Sequence, residues 1–152
     1  SLRLLHDRLE RALSLAQRKH QGLAVLVLGL RAFKPVNEQY GHDSGDVVLK
    51  AIAQRLQGAL READTVGRFG GDEFLVILPD VASAETATQM KVKLAALVSE
   101  PLYLAQHHVA VHLSAAIGVA SYPSSATDMH GLLRQAEQDM KADKGEAPRD
   151  LS

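Results

Sequence analysis

Apolar positions along this chain repeat with two periods, and the switches between them mark its elements. Leu2, Leu5, Leu9, Ala12, Leu13 and Ala16 fall at helical spacing with charges between them, and Lys19-His20-Gln21-Gly22 reads as a C-terminal cap, so residues 2–20 form an amphipathic entry helix. Leu23 to Leu30 is an almost continuous apolar run, the mark of a central strand buried on both faces. Phe33 to Tyr40 reads as a short helix or turn and Gly41-His42 as a break. Asp43 or Ser44 then caps a helix that buries Val47, Val48, Ala51, Ile52, Leu56 and Leu60. Thr65 to Phe69 and Glu73 to Leu78 read as two strands joined by a turn, and Pro79-Asp80 ends the second. Ser83 caps a helix that turns Ala87, Met90, Leu94 and Leu97 inward. From Val109 the apolar residues alternate through Val111, Leu113, Ala115, Ile117 and Val119, a long half-buried strand with Leu102 to Leu104 as its hairpin partner. Asp128 to Lys144 is the last helix, carrying Met129, Leu132, Leu133, Ala136 and Met140, with Gly145 as its stop. The pattern predicts an α/β (α+β) sandwich and leaves the strand order open.

Composition narrows the class. A chain of 152 residues with 46% hydrophobic and 23% charged content supports one globular domain, placed at residues 1–146 with a polar tail over 147–152. A formal net charge of −1 gives no electrostatic reason to expect a nucleic-acid or anionic-membrane partner. There is no cysteine, so disulfide and thiolate chemistry are excluded, and a reducing cytoplasmic setting fits. The apolar runs are strand-sized and no signal-peptide pattern opens the chain. It begins inside a helical pattern, which reads as a piece of a longer protein.

The candidate chemistry sits in Arg68-Phe69-Gly70-Gly71-Asp72-Glu73-Phe74, where two glycines adjoin two carboxylates at a hairpin tip. A glycine pair would supply the positive φ of a tight turn, let a ligand lie against bare backbone, and offer N–H groups to an anion. Asp72 and Glu73 add hard oxygen ligands, which is what magnesium on a nucleotide takes up. An ordinary hairpin with a solvated acidic tip would look the same. The histidines do not assemble a metal site: His108 and His112 would lie roughly 13 Å apart along a strand, and His107 would face the other side. His42 belongs to the Gly-His break, where a structural role fits.

The wider stretch resembles the GGDEF family, whose active members are diguanylate cyclases that join two GTP into cyclic di-GMP. Gly70 to Phe74 carries the signature. Phe33-Lys34, Asn37, Gly41-His42, Gly45-Asp46 and Ser114 to Val119 follow the family's other blocks in order, so the resemblance covers nearly the whole chain. It implies a mostly antiparallel five-stranded sheet wrapped by helices, similar to the nucleotidyl-cyclase core. It also implies Asp72 as a metal ligand beside the backbone carbonyl of Leu30, with Glu73 as its catalytic acidic neighbour. Phe33, Lys34, Gly70 and Gly71 would belong to the substrate site, and Asn37 and Asp46 would contact guanine. A carboxylate plus an amide complements guanine's two adjacent donors and one acceptor. Asp46 in a helix's first turn would also satisfy the macrodipole alone. Lys144 matches a lysine that touches the triphosphate from the last helix.

Several positions depart from the family pattern. Where the family writes Asp-x-Asp-x-Phe-Lys, this chain has Gly29-Leu30-Arg31-Ala32-Phe33-Lys34, so both aspartates are gone and Arg31 adds a fixed positive charge. The usual tyrosine of the last helix is Lys141, and an expected arginine meets Ala147-Pro148, with Arg149 displaced by one. A weakened magnesium site and a cyclase rate lowered by orders of magnitude are the expectation. Arg61-Glu62-Ala63-Asp64 stands five residues ahead of Gly70, the offset of the family's inhibitory cyclic di-GMP site, with Arg68 near enough to assist. A helix-end arginine and a turn aspartate would also explain that pair.

Three functions follow. The chain is a regulatory module binding GTP or cyclic di-GMP, a working diguanylate cyclase, or a dimerisation scaffold. The partners implied are a second copy and an attached sensor or phosphodiesterase domain. The first is favoured because the losses cluster on metal and triphosphate, whereas drift without function would have struck the guanine residues equally.

Overall fold

The computed structural model describes residues 1–145. The fold follows from alternation along its central strands. In β1 (Leu23–Arg31), the even-numbered residues Ala24 to Leu30 face one side, and Leu23, Val25 and Val27 face the other. β3 (Glu73–Pro79) repeats this with Phe74, Val76 and Leu78 against Leu75 and Ile77, and β6 (Ser114–Tyr122) with Ala115 and Ile117 against Ala116 and Ala120. Because both faces are apolar, both must be covered. α2 (Phe33–Tyr40), α3 (His42–Gly58) and α4 (Ala84–Val98) close the first face, and α1 (Leu2–Lys19) and α5 (Met129–Asp143) the second. With β2 (Thr65–Arg68), the sheet runs β2-β3-β1-β6, antiparallel throughout.

The antiparallel α+β architecture is as expected, and the strands divide differently. Four form the main sheet, and β4 (Leu102–Leu104) pairs with β5 (Val109–Val111) in a separate ribbon. The alternation from Val109 to Val119 is therefore two strands broken at His112-Leu113, the first turned toward β4 and the second toward β1. Beyond β6 no further strand could dock without displacing side chains. The outward N–H groups of Ile117, Val119 and Ser121 already donate to Asp143 Oδ2, Asp139 Oδ2 and Ser125 Oγ, each at 2.9 Å. α5 comes close enough for this because Gly118 has no side chain: a Cβ there would lie 1.9 Å from the Ala136 carbonyl oxygen.

Local signals held with small shifts. Ser83 and Asp128 cap α4 and α5 through side-chain bonds to the N–H of Thr86 and Gly131. α1 ends at His20, itself in the left-handed region at φ 55°. α3 starts at His42 behind Gly41, so neither Asp43 nor Ser44 is the cap and Asp46 lies beyond the first turn. Leu2 and Val47, expected inside, are about half exposed, at 48% and 51%. His108 belongs to the β4–β5 turn with φ 52°, not to a strand. Among the described residues, no three His, Asp or Glu side chains converge as a metal-binding group, and no helix is long and apolar enough to cross a membrane.

Candidate functional site

The ends of β1 and β3 converge as the chemistry requires. Gly29 stands opposite Glu73 in the ladder, and the next N–H, from Leu30, donates to the Asp72 carbonyl at 3.0 Å. Across the hairpin the Phe69 N–H donates to the Glu73 carbonyl at 2.8 Å, while Arg68 Nη2 donates to the Gly71 carbonyl at 2.9 Å. The tip is thus pinned from both sides. Gly70 and Gly71 are not in the positive-φ region, contrary to expectation, because the turn spans four residues and does not need it. Their missing side chains matter instead: a Cβ on Gly71 would meet nothing within 4 Å, and Gly71 lines an open cleft.

That cleft, about 360 Å³, is walled by Phe33, Lys34, Asn37, His42, Asp46, Leu49, Arg68, Gly71 and Asp72. β1 delivers the chain into α2 through Ala32, held at φ 68°, a conformation rare for alanine and typical of residues that aim a functional segment. One helix turn later Asn37 meets α3 at Gly45, where a Cβ would fall 1.8 Å from Asn37 Oδ1. Glycine at position 45 is therefore what gives Asn37 its seat. The same Oδ1 is buried without a hydrogen-bond partner. An acceptor left so is costly unless something else satisfies it. Asp46, exposed on α3, lines the same cleft and offers it a carboxylate.

The other side of the sheet end is built from α5. An ideal Cβ on Gly29 would lie 2.8 Å from Met140 Sδ and 3.7 Å from Lys144 Nζ. Burial raises the Glu73 carboxyl above its ordinary pKa, Glu137 and Asp72 push the same way, and Lys144 and Lys141 pull against them. Lys141 also faces Glu137 at 3.9 Å. Arg31, expected to oppose an ion directly, donates to the Asp143 carbonyl at the C-terminus of α5, where a cation suits the helix dipole. As a magnesium site the donor set fits poorly. Asp72 supplies a half-buried carboxylate, but a thioether and an ammonium fill the place where a second oxygen ligand would project from position 29.

At the far end of β2, Arg61 and Asp64 do come together. Arg61 Nη2 lies 2.7 Å from Asp64 Oδ1 and donates to the Pro79 carbonyl at 2.6 Å, while the Arg61 N–H donates to Asp64 Oδ2 at 2.8 Å. The Asp64 hydrogen bond raises the guanidinium pKa. The Asp64 side chain is fully buried and that of Arg61 is 53% exposed, so only the arginine faces solvent. Arg68, grouped with this pair in the sequence reading, lines the cleft instead, about 13 Å along the strand from Asp64.

Comparison with known proteins decides the family. The family model described as "Diguanylate cyclase, GGDEF domain" matches residues 2–149. This chain is a GGDEF domain. It is 39% identical over 137 residues to the bifunctional diguanylate cyclase/cyclic di-GMP phosphodiesterase MucR of Pseudomonas aeruginosa, covering 90% of this chain and 20% of that protein. It is 40% identical over 140 residues to the diguanylate cyclase TpbB of the same organism, covering 92% of this chain and 32% of that protein. The chain thus spans a third or less of these relatives. Among solved structures, the crystal structure of the GGDEF domain of TpbB (YfiN) superposes with a TM-score of 0.90 at 39% identity, covering 95% of this chain and 89% of that one.

In this GGDEF domain the cleft gathers Phe33, Lys34, Asn37, Asp46, Gly71 and Asp72. Glu73 and Lys144 lie on the α5 side, and Gly70 stands beside Glu73. Ala147, Pro148 and Arg149 lie outside the described residues. His42, given a structural role from the sequence, lines the cleft, and Leu49, Glu137 and the cleft position of Arg68 escaped the sequence reading. Glu137, Lys141 and Lys144 share one face of α5 by spacing alone, so that part was there to find.

Proposed function

We propose that this GGDEF domain serves cyclic di-GMP signalling as a guanine-nucleotide-binding regulatory module with little or no cyclase activity. The observation that carries this reading is that Asn37, whose buried Oδ1 has no partner, and Asp46 line one cleft. A guanine edge brings N–H donors to both, whereas adenine presents a different pattern. Lys34, Arg68 and the bare backbone at Gly71 line the same cleft and are the groups an anionic phosphate chain would use there. A complete cyclase would also need a magnesium ion, and the poor fit at position 29 argues against one.

Calorimetry with GTP and ATP tests the reading. GTP should bind and ATP should bind at least tenfold more weakly, and Asp46→Ala should erase the difference. Equal binding of the two nucleotides, or none, would show the cleft to be a relic and favour a dimerisation scaffold.

A second ligand is favoured by Arg61, whose exposed guanidinium is oriented from behind by buried Asp64. Such a fork suits the Hoogsteen edge or phosphates of cyclic di-GMP. In this reading Asp64 acts first by aiming Arg61, and reaches the ligand only if the pair opens.

A further inference from the structure

The two edges of the main sheet are finished differently. On β6 the outward N–H groups of Ile117, Val119 and Ser121 are all taken by side chains. On β2 the Phe69 N–H bonds the Glu73 carbonyl, so by antiparallel alternation Thr65 and Gly67 turn their main-chain groups toward β3, and Val66 and Arg68 turn theirs outward. Among the described residues nothing bonds those outward groups.

A groove of about 280 Å³ lies beside this edge, between Arg8, Arg11 and Leu15 of α1 and Ala63, Thr65 and Pro79 around the base of the β2–β3 hairpin. Its only charged lining is the two arginines, both exposed and neither in an ion pair among the described residues. The acids of α1 nearest to them, Asp7 and Glu10, line a separate hollow with Ser14 and Arg18. Strand geometry joins groove and edge. On a strand added to β2, the residue opposite Thr65 would project to the same face as Thr65 and its partner Ile77, which is the face that α1 covers.

We propose that the β2 edge docks an extended acidic segment of a partner protein, with a β-branched apolar residue beside Leu15 and carboxylates on Arg8 and Arg11. Main-chain bonds at Val66 and Arg68 hold such a strand, and the groove selects it. β2 has only four residues, and an edge so short recruits strands poorly by backbone alone. The arginines therefore decide which strand is taken. The groove shares no lining residue with the nucleotide cleft, so this docking stands or falls apart from the guanine reading.

The test is titration of the domain with a short capped peptide alternating glutamate and valine, followed by calorimetry and by amide hydrogen exchange. The peptide should bind, more weakly as salt rises, and should protect the Val66 and Arg68 amides. Arg8→Glu with Arg11→Glu should weaken it at least about tenfold, and Arg8→Gln with Arg11→Gln should weaken it less. The same peptide N-methylated along one edge should lose binding, as should one alternating lysine and valine. No binding at about 1 mM peptide, or binding that leaves Val66 and Arg68 unprotected, would overturn the proposal. Equal binding of the lysine peptide would do the same. Protection of these amides that grows with protein concentration, without peptide, would give the edge to a second copy instead and likewise overturn it.

Discussion

The cleft between α2, α3 and the hairpin tip and the arm contributed by α5 meet at the same end of the sheet, yet they differ in what they leave open. The cleft keeps a vacancy: Gly45 is bare so that Asn37 can sit, Asn37 Oδ1 is buried without a partner, and nothing stands over Gly71. On the α5 side the corresponding glycine, Gly29, is covered by Met140 and Lys144, and Lys144 and Lys141 only partly offset the burial and the acidic neighbours that raise the Glu73 carboxyl. The lesson is that a missing side chain has two opposite meanings. At Gly71 it leaves room for a ligand, whereas beneath a docked helix it records that the room has been taken.

The largest test of that contrast is turnover. Cyclase activity from GTP with magnesium or manganese should fall at least a thousandfold below the ordinary enzyme rate of about 1–10³ per second. A rate near 1 per second would remove the distinction between the two sides. Gly29→Asp with Arg31→Asp should do little, because the new side chain meets Met140 and pairs with Lys144. Adding Met140→Ala should be the change that raises magnesium affinity, read by magnesium-dependent calorimetry.

The base side can be broken separately. Gly45→Ala places a methyl group on Asn37 Oδ1 and should cost GTP tenfold or more in affinity. Overpacking of this kind also destabilises a fold by about 1–3 kcal/mol, so thermal melting should accompany the titration. An unchanged GTP affinity in a folded Gly45→Ala protein would mean that Asn37 does not read the base.

How much of this was legible beforehand depended on whether the information was local. The run Leu23–Leu30 and the caps at Ser83 and Asp128 are written in neighbouring residues and appear in the structure nearly as read, and the closely spaced Asn37 and Asp46 come to line one cleft. The break at His112-Leu113 was hidden because apolar alternation continues through it; only the choice of partner strand distinguishes β5 from β6. The cover over Gly29 was hidden too. It follows from α5 docking on Gly118, and both contacts lie more than a hundred residues from Gly29 or depend on a helix angle. Asp64 as a ligand-facing acid was likewise inferred from a motif, and its burial behind Arg61 is visible only once β2 and Pro79 are in place.

A milder effect is expected at Arg61, where the comparison extends to a third region. Arg61→Ala should weaken cyclic di-GMP about tenfold, in line with a lost charged hydrogen bond, and should also lower stability by leaving the buried Asp64 carboxylate with its backbone partner alone. Arg61→Lys keeps a cation for Asp64 and loses the fork, so it separates the two effects. Cyclic di-GMP binding unaffected by either substitution would take this pair out of the account.

The smallest effect concerns Glu73, and it asks whether the α5 side is truly settled. Its carboxyl is pushed up chiefly by burial, then by Glu137 and Asp72, against the pull of Lys144 and Lys141. A raised pKa means that the folded state holds this proton more tightly than the unfolded one. Stability from this group is therefore present at low pH and is lost as pH rises through the unfolded value, about 4.3, and then through the higher folded value. Glu73→Gln cannot lose that proton. Its melting temperature should match the wild type in acid and exceed it slightly at neutral pH, the difference opening across that window. The gain should be modest because the group is partly solvated and the two lysines offset much of the burden. A neutral-pH melting temperature below the wild type would reverse the sign. It would mean that Lys141 and Lys144 hold Glu73 as a needed counter-ion, so that an incoming phosphate chain would have to compete with Glu73 for the ammonium at Lys144.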